Sequence, residues 1–477
     1  MEQLIGRQKE KNRLRAFVGS ARAEFLALYG RRRVGKTFLV NHVFNGEFAF
    51  KMTGVIDGSL RDQLTAFADA MEEFGYTLPS PPSDWMEAFI MLKKALKDKA
   101  SAKERCVIFI DELPAMDAGN SNVAKALGYF WNSWASLQDN ILLIVCGSAT
   151  SWMITNVIDS KGGLHDRITM EIPIHPFSLG EVEEYLEEHG FLWDRMMILQ
   201  SYMVFGGIPY YLSLLDKEES LVQNVDRLFF SRDRLMRREF TRLFSTLYKS
   251  PHKYVEMVMA LAKSRKGMTR EQLAKLLKCD NNGHLGKRLE DLVCCDLVRK
   301  NIVREKKIKK KDAIYQLCDF FSLFFLTFID RAETEEHYWL RHINTPEVNS
   351  WMGLAYERIC MAHLVQIKKA LRIDAISTLS YSWRGKHEED KAQIDIVIER
   401  ADHIVNICEV KFCQQEFVLD KEEYENINHR KSTFIEETKL KHTPWITIIS
   451  TYGLARSKYT GMVQSQVKLD DLFESED

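Results

Sequence analysis

Gly30-Arg31-Arg32-Arg33-Val34-Gly35-Lys36-Thr37 follows the apolar run Phe25-Leu26-Ala27-Leu28-Tyr29 and continues into Phe38-Leu39-Val40. An apolar strand, a loop framed by glycines and then a helix is the order a phosphate-binding loop requires. In such a loop the backbone N–H groups of residues 30–37, Arg31, Arg32, Arg33 and Val34 included, wrap the phosphates of a nucleotide such as ATP. Lys36 reaches the β and γ oxygens, Thr37 supplies a ligand to Mg²⁺, and the helix N-terminus favours the anion.

A second buried strand is expected about seventy residues on, where Cys106-Val107-Ile108-Phe109-Ile110 runs into Asp111-Glu112. An unbroken apolar run reads as a central parallel strand, and carboxylates at its C-terminal edge face the crevice where ligands bind. Asp111 would hold Mg²⁺ through water and Glu112 would activate the attacking water. The bland alternative is a capped strand end. A third strand, Ile141 to Val145, leads into Cys146-Gly147-Ser148-Ala149-Thr150-Ser151, where the choice is between a γ-phosphate sensor and a serine-rich turn.

With the triple arginine, the Ile5-Gly6-Arg7 start and the segment Gly206-Gly207-Ile208-Pro209-Tyr210, the chain resembles prokaryotic archaeal-type AAA+ ATPases, relatives of the MNS-clade signalling ATPases. The resemblance implies ATP binding and hydrolysis and makes Ser148 the sensor residue. It also implies a helical lid whose Gly-x-Pro motif lies near the adenine. No arginine follows that motif to act as the second sensor of AAA+ proteins, so Pro209 is the expected nucleotide contact. The segment Gly162-Gly163-Leu164-His165-Asp166-Arg167, ahead of an expected strand at 168–174, is similar to the place where this family keeps an arginine finger. Arg167 would then complete a neighbour's site in a homo-oligomer, the alternative being a surface arginine with a local partner.

Past the lid, apolar residues at spacings of three and four mark three helices: Tyr254-Met257-Leu261, then Thr269 with Leu273, Leu276 and Leu277, then Leu285-Leu289-Leu292-Val293. Thr269 reads as an N-cap and Asp280-Asn281-Asn282-Gly283 as the turn of a helix-turn-helix. From Val298 to Lys311, the basic residues Arg299, Lys300, Arg304, Lys306, Lys307, Lys309, Lys310 and Lys311 face only Glu305. A basic wing beside a helix-turn-helix fits contact with the DNA backbone, without sequence reading. A protein-contacting winged helix or a solvated lysine run is the alternative.

The region after Tyr315 opens with a buried helix or strand at 320–329 and a polar linker at 331–337, followed by a helix from about Ser350 to Leu371 that carries Glu357. Two strands come next, 393–398 and 404–412. Taken as a hairpin centred on Asp402, they pair residues whose numbers sum to 804, which sets Asp395 opposite Glu409 with Lys411 two residues further on the same face. Ile394, Ile396, Cys408, Val410 and Phe412 would then share the apolar face. The D…ExK spacing, with Glu357 arriving from the preceding helix, resembles restriction-endonuclease-like PD-(D/E)xK nucleases. The resemblance implies Mg²⁺ held by Glu357, Asp395 and Glu409, with Glu409 and Lys411 as catalytic groups. Asp395 follows Gln393-Ile394 where that motif has a proline, and a purely structural hairpin is the alternative.

The 477 residues exceed what one core serves. The expected fold is α/β throughout: a P-loop AAA+ parallel sheet (1–178), a helical lid (179–248), a winged helix-turn-helix (249–316) and a restriction-endonuclease-like domain (317–477). With 45% hydrophobic and 28% charged residues the composition is that of a folded soluble chain, and the net charge of −1 leaves any polyanion contact to local patches. Nine scattered cysteines without a CxxC pair argue against a disulfide framework or zinc finger. Without a basic-then-apolar leader or a run of about 20 apolar residues, no membrane contact is expected and the expected location is cytoplasmic.

Overall fold

The computed structural model describes residues 3–100, 104–160, 162–231, 235–248, 250–265, 267–301, 313–329, 336–385 and 392–475. The first sheet holds β1 (Glu24–Tyr29), β2 (Phe50–Thr53), β3 (Cys106–Asp111), β4 (Ile141–Gly147) and β5 (Met170–Pro173), in the order β2-β3-β4-β1-β5. All pairings are parallel. Every residue of β3 and β4 is buried, which explains their unbroken apolar sequence: helices cover both faces. The three expected strands therefore lie at the centre of one sheet, and the loops at their C-terminal ends converge on one edge.

The segment expected to be the lid is helical, with helices Leu179–Glu188, Arg195–Phe205, Pro209–Leu212, Leu221–Phe230 and Leu235–Leu247. Ser178 and Ser220 each cap a helix through a reciprocal capping box. Beyond it stand the helices Pro251–Ala262, Arg270–Leu276 and Gly283–Cys294, and a small antiparallel sheet of β6 (Met268–Thr269), β7 (Val298–Asn301) and β8 (Ile314–Leu317) in the order β6-β8-β7. Thr269 caps its helix as expected, and Asn282 caps the next. Of the basic segment, Arg304, Glu305, Lys306, Lys307, Lys309, Lys310 and Lys311 lie outside the described residues.

The second large sheet orders β13-β12-β11-β10-β9, from β9 (Thr378–Arg384), β10 (Gln393–Arg400), β11 (Ile404–Lys411), β12 (Thr443–Ser450) and β13 (Val463–Val467). Strands β9, β10 and β11 alternate in direction, whereas β11, β12 and β13 run parallel. The 320–329 stretch is helical and buried from Phe320 to Ile329, apart from a partly exposed Thr327. The expected linker at 331–337 is described only from Glu336.

Two expectations need correction. The helix at 350–371 is two helices, Pro346–Ala362 and Leu364–Ala370. The break falls at His363, whose buried ring accepts a hydrogen bond from Leu179 N at 3.0 Å while its Nδ1 meets the Ile359 carbonyl at 2.8 Å. Tertiary contact with the lid overrides helical continuity there. Ile394 also does not share a face with Ile396: a bulge between Ile394 and Val397 sends Ile394 into the smaller core of this sheet and Ile396 into the main one.

Candidate nucleotide site

Strand β1 ends at Tyr29, and Gly30 takes φ +149°, a conformation other residues rarely adopt. A Cβ there would stand 2.1 Å from the Ile174 carbonyl oxygen, so the loop can leave the sheet only through glycine. The loop then turns into the helix Lys36–Val43, with Gly35 at its N-cap. Lys36 is buried, and its Nζ donates to the Gly30 and Arg31 carbonyls, each at 2.9 Å. Thr37 Oγ1 donates to Asp111 Oδ2 at 2.6 Å, and Asp111 Oδ1 accepts from Glu112 N at 2.9 Å.

Glu112 sits in the left-handed region (φ 48°) at the end of β3. Its Oε2 accepts from Ser148 Oγ at 2.8 Å and Ser148 N at 3.2 Å. The structure thus brings Lys36, Thr37, Asp111, Glu112 and Ser148 to one edge of the sheet. A hydroxyl and a carboxylate within 2.6 Å of each other form an oxygen donor set of the kind Mg²⁺ takes.

The side chains of the triple arginine do something the sequence did not reveal. Arg31 is 1% exposed and forms an ion pair with Asp319, which caps the helix starting at Phe320. Its Nη2 also reaches Tyr211 Oη at 3.4 Å. Arg33 pairs with Glu239 at 2.9 Å and stacks 3.7 Å over the Tyr210 ring, while Tyr211 Oη donates to Glu239 at 3.2 Å. The loop backbone is free to surround a phosphate, but two of its arginines are tied to the lid and to the chain beyond the winged helix. Pro209 opens the lid helix Pro209–Leu212, directly before that aromatic pair. Gly207 packs against the Phe177 backbone so closely that a Cβ would lie 2.0 Å from its carbonyl oxygen.

Arg167 is exposed. Since Leu26 pairs with Met170 and Tyr29 with Pro173, it lies ahead of β5, at the sheet edge opposite the phosphate loop. Strand β1 is six residues long, so the two edges are about 20 Å apart. Arg167 is not part of its own chain's site.

In the C-terminal sheet the register is the expected one: Ile396 pairs with Cys408 and Val397 with Ile407, sums of 804. Asp395 Oδ2 accepts from Val410 N at 3.3 Å. Glu409 is buried and held by Arg430 at 2.6 Å and Lys411 at 3.0 Å, and Lys411 also binds Glu423 at 2.7 Å. Burial pushes the Asp395 carboxyl up, helped by Glu409 and Glu357. Burial likewise pushes Glu357 up to about 7, with Arg358 opposing and Glu409 adding. The four residues are neighbours, yet among the described residues no three acidic, histidine or cysteine side chains come together as a metal-binding group. Glu409 already has two cations, so this arrangement does not fit the metal centre expected from its sequence.

The raised carboxyl has a measurable consequence. The fold favours neutral Glu357, so its contribution to stability is full below the ordinary carboxyl value of 4.5 and is lost as pH rises through about 7. Glu357→Gln should therefore raise stability at pH 8 relative to wild type by on the order of 2 kcal/mol after screening, seen as a higher thermal midpoint, and have little effect at pH 5. Equal shifts at both values would count against it.

In the described part of the basic segment, Lys300 Nζ pairs with Glu290 at 2.5 Å, and Arg299 is half-buried with its Nη1 fully covered. All nine cysteines are free thiols. Among the described residues no helix is long and apolar enough to cross a membrane.

Residues 4–215 match the family described as an ATPase domain predominantly from Archaea. Residues 325–427 match a family of archaeal and bacterial proteins of unknown function. An uncharacterized protein of Methanocaldococcus jannaschii is 25% identical over 377 residues, 76% of this chain and 78% of that protein. Among solved structures, the Walker-type ATPase of Pyrococcus abyssi aligns with TM-score 0.47 at 16% identity, over 68% of this chain and 96% of that one. Cdc6p of Pyrobaculum aerophilum aligns with TM-score 0.34 at 12% identity, over 68% of this chain and 94% of that one. The family match over residues 4–215 supports an ATPase domain in the N-terminal segment.

Proposed function

We propose that this archaeal-type ATPase binds ATP with Mg²⁺ at the 30–37 loop, hydrolyses it, and passes the state of that loop to its C-terminal half. The single observation that carries the reading is the contact of Thr37 with Asp111 beside the Glu112–Ser148 pair. Thr37 and Asp111 would hold Mg²⁺, which when bound neutralises the β and γ oxygens. Lys36 would exchange its two carbonyl partners for phosphate oxygens. Glu112 would accept a proton from the attacking water, after Ser148, which now holds its carboxylate, turns toward the γ-phosphate. Pro209 and the loop glycines would line the nucleotide.

Arg167, at the far edge of the sheet, suits only a neighbouring subunit's phosphate, which would make a homo-oligomer the active form. Arg167→Ala should lower turnover per active site roughly tenfold or more, and mixing it with Lys36→Ala protein should restore part of the activity. Unchanged turnover in Arg167→Ala would remove the finger.

A second reading adds DNA. The helix-turn-helix and the basic segment 298–311 favour contact with the phosphate backbone. It predicts duplex binding that weakens steeply with salt; salt-independent binding, or none, leaves the winged helix as a protein contact. Because Glu409 is held by Arg430 and Lys411, we derive no metal-dependent cleavage step and favour the regulatory switch over the nuclease for the C-terminal domain. Manganese-dependent DNA cutting lost in Glu409→Ala would reverse that choice.

A further inference from the structure

Arg7 is buried, and its Nη2 donates at 3.1 Å to the carbonyl of Val34, inside the phosphate loop. A buried guanidinium normally draws on a carboxylate to offset its desolvation. The ion pair of Arg7 with Glu10 is long, 4.0 Å, so the short contact of this cation is to the loop backbone. The turn that delivers it is strained as well. Gly6 (φ 62°) and Arg7 (φ 58°) are both left-handed, a conformation that glycine takes freely and arginine does not. Backbone held in such a state persists only where its surroundings fix it.

What fixes it is the segment expected to be the lid. Arg7 N donates to Glu181 Oε1 at 2.8 Å, while Glu181 Oε2 accepts from Ser178 N at 2.9 Å and so closes the cap of the helix Leu179–Glu188. The Cζ of Arg7 lies 4.7 Å from the centroid of the Phe177 ring, within the range of a cation–π contact. Phe177 in turn donates from its N to the Gly207 carbonyl at 2.6 Å and accepts from Tyr202 Oη at 2.8 Å. One residue thus joins the backbone of the phosphate loop to the helices that follow the first sheet.

We infer that Arg7 is a positioning residue for the phosphate loop: by holding the Val34 carbonyl it keeps the Gly35 N–H turned toward the phosphates of a bound nucleotide. The Val34–Gly35 peptide is trans, and in a planar trans peptide the carbonyl and the following N–H point in opposite directions. With the carbonyl drawn to Arg7, the N–H faces the other way, to the concave side where loop donors form an anion nest. Gly35, at φ 90°, lets this peptide flip at little cost, and the hydrogen bond from Arg7 opposes the flip. Arg7 itself touches no phosphate; it acts through Gly35. The inference rests on the reading that ATP binds at this loop, and adds a link to it: a movement of the lid displaces Arg7 and with it one phosphate donor.

The test measures steady-state ATP turnover of the full chain, per folded protein and below the lowest thermal midpoint, in wild type, Arg7→Met and Arg7→Lys. Arg7→Met should raise KM for ATP roughly tenfold or more and leave kcat nearly unchanged, because the Gly35 N–H meets the phosphates equally before and during hydrolysis. A lesion of stability alone moves neither constant when both are taken per folded molecule. Arg7→Lys keeps the cation over Phe177 and gives up the guanidinium; it should fold like wild type and raise KM by a smaller factor, which decides the matter if Arg7→Met does not fold. An unchanged KM in every variant that folds, or a loss confined to kcat, overturns the proposal. Binding of a fluorescent ATP analogue to Lys36→Ala separates the two readings. Affinity lost there with KM intact in the Arg7 variants overturns the role of Arg7 alone, whereas affinity intact in Lys36→Ala overturns the nucleotide site at the loop and this inference with it.

Discussion

Glu112→Gln should lower the rate of ATP hydrolysis about 10²- to 10⁴-fold and leave ATP affinity close to that of the unaltered chain. The carboxylate stands at the end of β3 next to Asp111 but makes its contacts to Ser148, whereas Lys36, which now donates to the Gly30 carbonyl, and the loop backbone are the groups proposed to meet the phosphates. Losing its charge would remove the proposed proton acceptor without touching the groups proposed to bind. The measurement is steady-state phosphate release beside equilibrium binding of a fluorescent ATP analogue. Equal loss of both would assign Glu112 to binding; loss of neither would mean that the water is activated elsewhere. Ser148→Ala separates the roles further. If Ser148 only parks the carboxylate, basal turnover rises; if it senses the γ-phosphate, turnover falls.

The second large effect is on stability. Arg31 and Asp319 are both almost fully buried, 1% and 5% exposed, so removing one partner strands the other. Asp319→Ala should cost about 3–5 kcal/mol, because Arg31 would keep only Tyr211 at 3.4 Å and the helix at Phe320 would lose its cap. The double variant Arg31→Met, Asp319→Leu should recover much of that loss, since two apolar side chains of similar size need no counter-charge. Chemical denaturation of the four proteins of this cycle measures the coupling. Additive losses would mean that the two residues do not act as a pair. The same variants assayed for ATP turnover report whether the C-terminal half senses the loop: a changed KM in Asp319→Ala at a temperature where the protein is folded would show that it does.

The ATPase site was legible because its chemistry is compressed into short strings. Gly30 through Thr37 and Ile108 through Glu112 carry strand, turn and ligand in adjacent residues, and the turns leave little choice of side chain. The hairpin register was legible for a different reason. Period-two alternation around a short loop fixes which residues face each other, so Asp395 came opposite Glu409. What the sequence did not carry was any relation between distant segments. Nothing near Arg31 points to Asp319, and nothing in the helical periodicity of 350–371 shows that His363 will be held by Leu179. The bulge at 394–397 escaped notice because apolar residues run through it on both faces. Lys411 was expected on the face of Glu409, but Arg430 was invisible, since it arrives from the helix Lys421–Thr438, and together they make Glu409 one member of a neutralised cluster.

The pairing of Arg31 with a residue 288 positions away makes the ATPase segment a dependent part rather than a portable module. Cut free after the lid, it would carry a buried cation whose only full counter-charge had been left behind, and grafting the loop of a relative into this chain would import a side chain evolved for a different Asp319. Any exchange of parts between such proteins has to move the opening of the phosphate loop and the start of the C-terminal domain together, as one heritable unit written in two places.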